Sequence, residues 1–155
     1  MKKQIFIVIA LVVACLFSMS CGKEGGTGAG NLVGTWVIAK EETTMSDGTV
    51  KTVTDKSDWS KDSPNYVSFS YMLTFSSDGV LSGKSVLEID LVPSSYEIKN
   101  GYIYNLGVQF AKIVSNNGKT LVLELADGML RMQNSAREYL DEPLIVKCVA
   151  TYNKQ

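Results

Sequence analysis

An antiparallel, up-and-down β-barrel of eight strands, all-β apart from a short helix before the last strand, is the fold this sequence predicts. Three observations carry that expectation. Apolar and polar residues alternate with period two in one segment after another, as half-buried strands require. Tight-turn signals at Ser77-Asp78-Gly79, Asn100-Gly101 and Asn116-Asn117-Gly118 join the segments, so sequential strands are antiparallel neighbours. A meander with one oily face then closes most simply into a barrel, which leaves no edge strand. A β-sandwich is the competing architecture, and the hairpin-to-hairpin order favours the barrel.

The elements follow in chain order. Gly34-Thr35-Trp36-Val37-Ile38-Ala39 opens the first strand, over about 33–41. Residues 43–64 are polar, with Val50 and Val53 as weak strand signals, and read as a long loop or a ninth edge strand. Phe69, Tyr71, Leu73 and Phe75 alternate with Ser70, Met72 and Thr74 in a strand over 67–75. The chain returns over 80–90, with Leu87, Ile89 and Leu91 on one face. Tyr96 and Ile98 mark a strand over 95–99, which the Asn100-Gly101 turn joins to Tyr102-Ile103-Tyr104 in a strand over 102–106. Strands over 108–114 and 120–125 follow, the second with Leu121, Leu123 and Leu125 on one face. Ser135 and Glu138 have capping-box spacing, which places a short helix from there to about Glu142, stopped by Pro143. The last strand covers about 144–152.

At 155 residues the chain holds one domain. It carries 15 basic and 16 acidic residues, a net charge of −1, so it lacks the basic excess of a nucleic-acid binder. It contains no histidine. That excludes Ser-His-Asp and Cys-His catalysis and leaves no catalytic set or metal site to nominate. Asp55, Asp58 and Asp62 lack the alternating spacing and central glycine of a calcium loop, and Glu41-Glu42 reads as a charged strand end. No Gly-rich phosphate loop sits between a strand and a helix, and no cofactor is implied.

The first twenty residues read as an address. Lys2 and Lys3 precede an unbroken apolar run of 13 residues, Ile5 to Phe17. This suits a signal peptide and is short for a spanning helix, which needs about 20 residues. Ser18-Met19-Ser20-Cys21 follows and resembles a bacterial lipobox, in a loose form similar to signals of the Bacteroidetes group. Cleavage before Cys21 makes it the lipid-bearing residue, palmitate being one of the acyl chains such an anchor carries. It also removes both lysines, leaving a mature chain near −3. Acyl chains contribute about 0.8 kcal/mol per buried methylene, enough together for stable anchoring. Residues 21–31 then form a tether: five of the ten residues from Gly22 to Asn31 are glycine. Its reach is roughly 18 Å. With Cys15 lost and Cys21 acylated, only Cys148 remains, so no internal disulfide forms.

Gly34-Thr35-Trp36 at the head of the first strand resembles the Gly-x-Trp motif of lipocalins, members of the calycin group of barrels. With Leu73-Thr74-Phe75-Ser76-Ser77-Asp78-Gly79 and Lys119-Thr120-Leu121-Val122-Leu123-Glu124-Leu125, the pattern over 32–152 is similar to lipocalin-like domains in Bacteroidetes lipoproteins. The resemblance implies an eight-stranded barrel domain over 32–155, with Gly34 and Trp36 plugging its closed end. It also implies a last-strand cation across Trp36. The arginine common there is absent, and Lys147 is the candidate to stand in for it. The late Thr-Asp-Tyr element is absent too.

Function follows from that picture as an expectation. The protein is expected to be a non-enzymatic lipoprotein of the bacterial cell envelope, without a nucleic-acid partner by its charge, held at the outer membrane by its lipid. Phe69, Tyr71, Leu73, Phe75, Tyr96, Ile98, Tyr104 and Phe110 are candidates to line a cavity for a small apolar ligand. The alternative is a filled barrel whose loops meet an envelope protein or glycan. Eight strands enclose just enough space for either packing side chains or one small ligand.

Overall fold

A computed structural model of the chain describes residues 31–54, 69–85 and 89–155. The signal segment, Cys21 and the tether lie outside these residues, as do Asp55, Asp58, Trp59, Asp62 and Leu87. Nine strands and one helix are present among the described residues. They are β1 (Gly34–Met45), β2 (Val50–Val53), β3 (Met72–Phe75), β4 (Val80–Lys84) and β5 (Asp90–Lys99). Then come β6 (Tyr102–Asn105), β7 (Val108–Asn116), β8 (Thr120–Leu125), the helix α1 (Asp127–Tyr139) and β9 (Ile145–Lys154).

The sheet is antiparallel throughout, in the order β2-β1-β3-β4-β5-β6-β7-β8-β9. A further pairing of β1 with β9, from Trp36↔Lys154 to Met45↔Ile145, closes eight strands into a barrel. The ninth strand, β2, shares one edge of β1 with β3. It pairs with Glu41–Thr44, whereas β3 pairs with Gly34–Val37. Val50 and Val53 therefore do mark a short strand.

Turn chemistry sets the hairpins. Asn100 and Gly101 both take positive φ, 53° and 76°, the geometry that a two-residue turn needs to match strand twist. The single strand expected over 80–90 divides instead. β4 stops at Lys84, which pairs with Asp90, and β5 runs from there through Pro93. Proline lacks the ladder N–H, and it falls where the register shifts between Leu81 and Gly83.

The helix also differs from expectation. It begins at Asp127, whose carboxylate suits the first turn, and not at Ser135. Ser135 instead donates to the Met132 carbonyl inside the helix, 2.8 Å. The end is a left-handed cap: Asp141 has φ 55°, its N–H meets the Glu138 carbonyl, and the Glu142 N–H meets the Arg137 carbonyl. Asn134 docks the helix on β9, donating to the Ile145 carbonyl and accepting from its N–H, both at 2.8 Å.

Candidate functional site

The barrel interior has two ends, and β1 runs between them. At the lower end Trp36 has no exposed surface. Its indole N–H donates to the Leu32 carbonyl at 2.7 Å, which ties the entering chain under the plug. Gly34 precedes it with φ 133°, a conformation open to glycine, and a Cβ there would lie 2.6 Å from Lys154 Cε. The Lys154 ammonium stands 5.2 Å from the Trp36 ring centre. Lys147, the cation expected there, points elsewhere: it pairs with Glu124 at 3.6 Å. Residue 154 lies beyond the apolar stretch in which the sequence draws attention to Lys147.

Around Trp36 the inward residues Leu73, Phe75, Ile103, Leu121, Leu123, Ala150 and Tyr152 are buried to 1% exposure or less. Two ring hydroxyls bordering this core bond to backbone. Tyr96 donates to the Ser76 carbonyl at 3.0 Å, with its ring edge-on to Phe75 at 5.0 Å. Tyr152 donates to the Ser70 carbonyl at 2.7 Å.

The upper end is built differently. Met45, Leu125, Leu130, Ile145 and Cys148 form a second buried cluster beneath α1. Phe69 and Phe110 pack against both clusters and yet are only half-buried, and Met129 of α1 is half-buried beside the upper one. Phe69 stands edge-on to Phe110 at 5.9 Å and to Tyr152 at 6.3 Å, a stack that runs from one cluster to the other.

This end also carries inward polar groups that sequence alternation did not expose. Continuing the parity of Trp36 and Ile38 would turn Lys40 and Glu42 inward. The β1–β9 ladder shifts between Ile38↔Tyr152 and Lys40↔Thr151, leaving Ala39 as the extra residue of a bulge. Parity flips there, so Glu41 and Thr43 face the core at 2% exposure, while Lys40 and Glu42 pair with each other outside at 3.0 Å. Glu41 is thus not the solvated strand end its charge suggests. The Thr43 hydroxyl donates to Cys148 Sγ at 3.7 Å. Tyr152 has its hydroxyl pKa pushed well above the usual 10.0, by burial first and then by the electrostatic influence of the neighbouring Glu41 and Cys148 side chains.

Of the eight residues expected to line the interior, Leu73 and Phe75 are core, and Phe69, Tyr71, Tyr96 and Phe110 pack on it half-buried. Two depart. Ile98 shares a face with buried Ile103 but lies two residues from the Asn100-Gly101 turn and is 39% exposed. Tyr104 follows Ile103, so the pleat turns it outward, level with Glu97. There Tyr104 lines a surface groove of about 280 Å³ with Ser95, Tyr96, Glu97 and Gly107. At its side Leu106 holds φ 50° with 70% of its surface exposed.

Among the described residues no cluster of His, Cys, Asp and Glu suits a metal ion. No helix among them is long and apolar enough to cross a membrane. No family model, curated protein or solved structure matches this chain.

Proposed function

We propose that the protein is a lipid-anchored, non-enzymatic barrel of the bacterial envelope, tethered at the outer membrane through Cys21. It takes a small apolar ligand at the barrel end beneath α1. The observation that carries this reading is the pair Phe69 and Phe110: inward aromatic rings, packed on two core clusters, that keep accessible surface. Apolar walls with a few polar groups are the usual composition of a small-molecule site, and Thr43 supplies one such group on the same wall. The anchor rests on the apolar run followed by Ser20-Cys21.

Native mass spectrometry of the protein purified from its host tests the ligand. An added mass that Phe69→Ala and Phe110→Ala release supports it, and a bare chain mass rejects it. Cys21→Ser tests the anchor, with transfer from the membrane fraction to a soluble one as the expected result. Unchanged membrane retention rejects it.

A second reading has its own observation. Leucine is a poor choice for a left-handed turn position, where glycine or asparagine fits without strain. Leu106 occupies one, exposed, beside the Tyr104 groove. That favours a contact with an envelope protein or glycan at the β6–β7 turn. Leu106→Asn would relieve the strain and weaken such a contact.

A further inference from the structure

Among the described residues, Gln133 is the buried side chain whose polar atoms are left without a partner. It stands one turn after Met129 on α1 and three residues after Leu130, both of which pack on the upper core cluster. Its amide oxygen and nitrogen are shielded from solvent, and neither has a hydrogen-bond partner. The next residue shows what an answered amide looks like here, since both ends of the Asn134 side chain bond the Ile145 backbone. A buried amide left open at both ends is costly, and native proteins contain few of them. Methionine would fill the same space with no polar atom to satisfy.

We propose that Gln133 is the polar handle of the ligand site beneath α1, and that it selects a neutral carboxamide or lactam group on an apolar body. The inference rests on reading that end of the barrel as a ligand site. A glutamine amide offers one acceptor and two donors side by side. An anionic ligand would use Nε2 and leave Oε1 open. It would also approach a barrel wall that carries the buried carboxyl group of Glu41. An amine would use Oε1 and leave Nε2 open. A carboxamide or lactam answers both ends with two parallel hydrogen bonds, while Phe69, Phe110 and Met129 give its apolar body contact.

Hexanamide, hexanoate and hexylamine share one chain and differ in head group. Each is titrated by calorimetry into the intact lipidated protein in nanodiscs, with empty nanodiscs as the reference. Hexanamide is expected to bind saturably and at least about tenfold tighter than the other two. Gln133→Met should weaken hexanamide by roughly ten- to a hundredfold and the other two by less, since each of them loses one bond and not two. The same variant should melt a few degrees higher, since it removes an unanswered buried amide. Equal affinity for the three head groups, or unchanged hexanamide binding by Gln133→Met, overturns the handle and leaves the ligand site standing. A lower melting temperature for Gln133→Met also overturns it, because the amide would then have a partner within the protein. Failure of all three compounds to bind, together with a bare mass for the host-purified protein, removes the ligand site and the handle together.

Discussion

The lower end of the barrel and the upper end share β1, β8 and β9 and are made by opposite rules. Below, Trp36 and the residues around it leave almost no surface to water, and its one polar atom is bonded to the Leu32 backbone. Above, β1 turns a carboxyl group and a hydroxyl inward, the rings of Phe69 and Phe110 stay half-buried, and α1 closes the end with an amide whose polar atoms have no hydrogen-bond partner. Close packing stabilises the first end. The second leaves a buried amide without a partner, which costs stability. The difference between the two begins at one bulge in β1, at Ala39.

The contrast is broken most directly at the plug. Trp36→Ala should destabilise the fold by about 3–5 kcal/mol, as truncating a large core aromatic does. The denaturant midpoint measures this, and a loss under about 1 kcal/mol would show that the lower end is not the stabilising one. Phe110→Ala, at the half-buried upper end, should cost roughly half as much, because less of its surface leaves water on folding. Equal losses for the two would erase the distinction between the ends.

Asn134→Ala removes both hydrogen bonds from α1 to Ile145. The expected loss is about 1–3 kcal/mol, with hydrogen exchange in α1 rising more than exchange in β8. Uniform exchange across both elements would mean that the lid and the barrel open together.

Tyr152 joins the two ends, and pH tests it. Its pKa is raised in the folded chain, so the neutral hydroxyl is the form the fold prefers. The stability this contributes is complete below the unfolded value of about 10 and is lost as pH rises through the folded value. Wild type should therefore lose stability above about pH 10 more steeply than Tyr152→Phe. At neutral pH that variant should be the less stable by about 1 kcal/mol, for the lost bond to Ser70. Parallel curves for the two proteins would place the alkaline titration elsewhere.

The smallest effect belongs to Thr43→Val. Valine keeps the shape and loses only a long bond to sulfur, so the change should stay under about 1 kcal/mol. A larger loss would give the upper wall a structural role equal to that of the plug.

By itself the sequence determined the barrel and most of its strands in their order, because period-two alternation and turn residues such as Asn100-Gly101 act over a few neighbours. It left β2 open between loop and strand and did not place the break between β4 and β5. The same local logic placed Leu73 and Phe75 inside, and the resemblance to lipocalins placed Trp36 there. Long-range pairing decided the rest. Ala39 joins a bulge only because β9 sets the register of β1, so the inward turn of Glu41 and Thr43 has no local signal. Gln133 is shielded only because α1 begins at Asp127 and Asn134 binds it to Ile145, eleven residues on. Lys154 reaches Trp36 only because the last strand closes on the first. Side-chain direction on a strand depends on every residue counted from the partner strand, and one bulge resets that count.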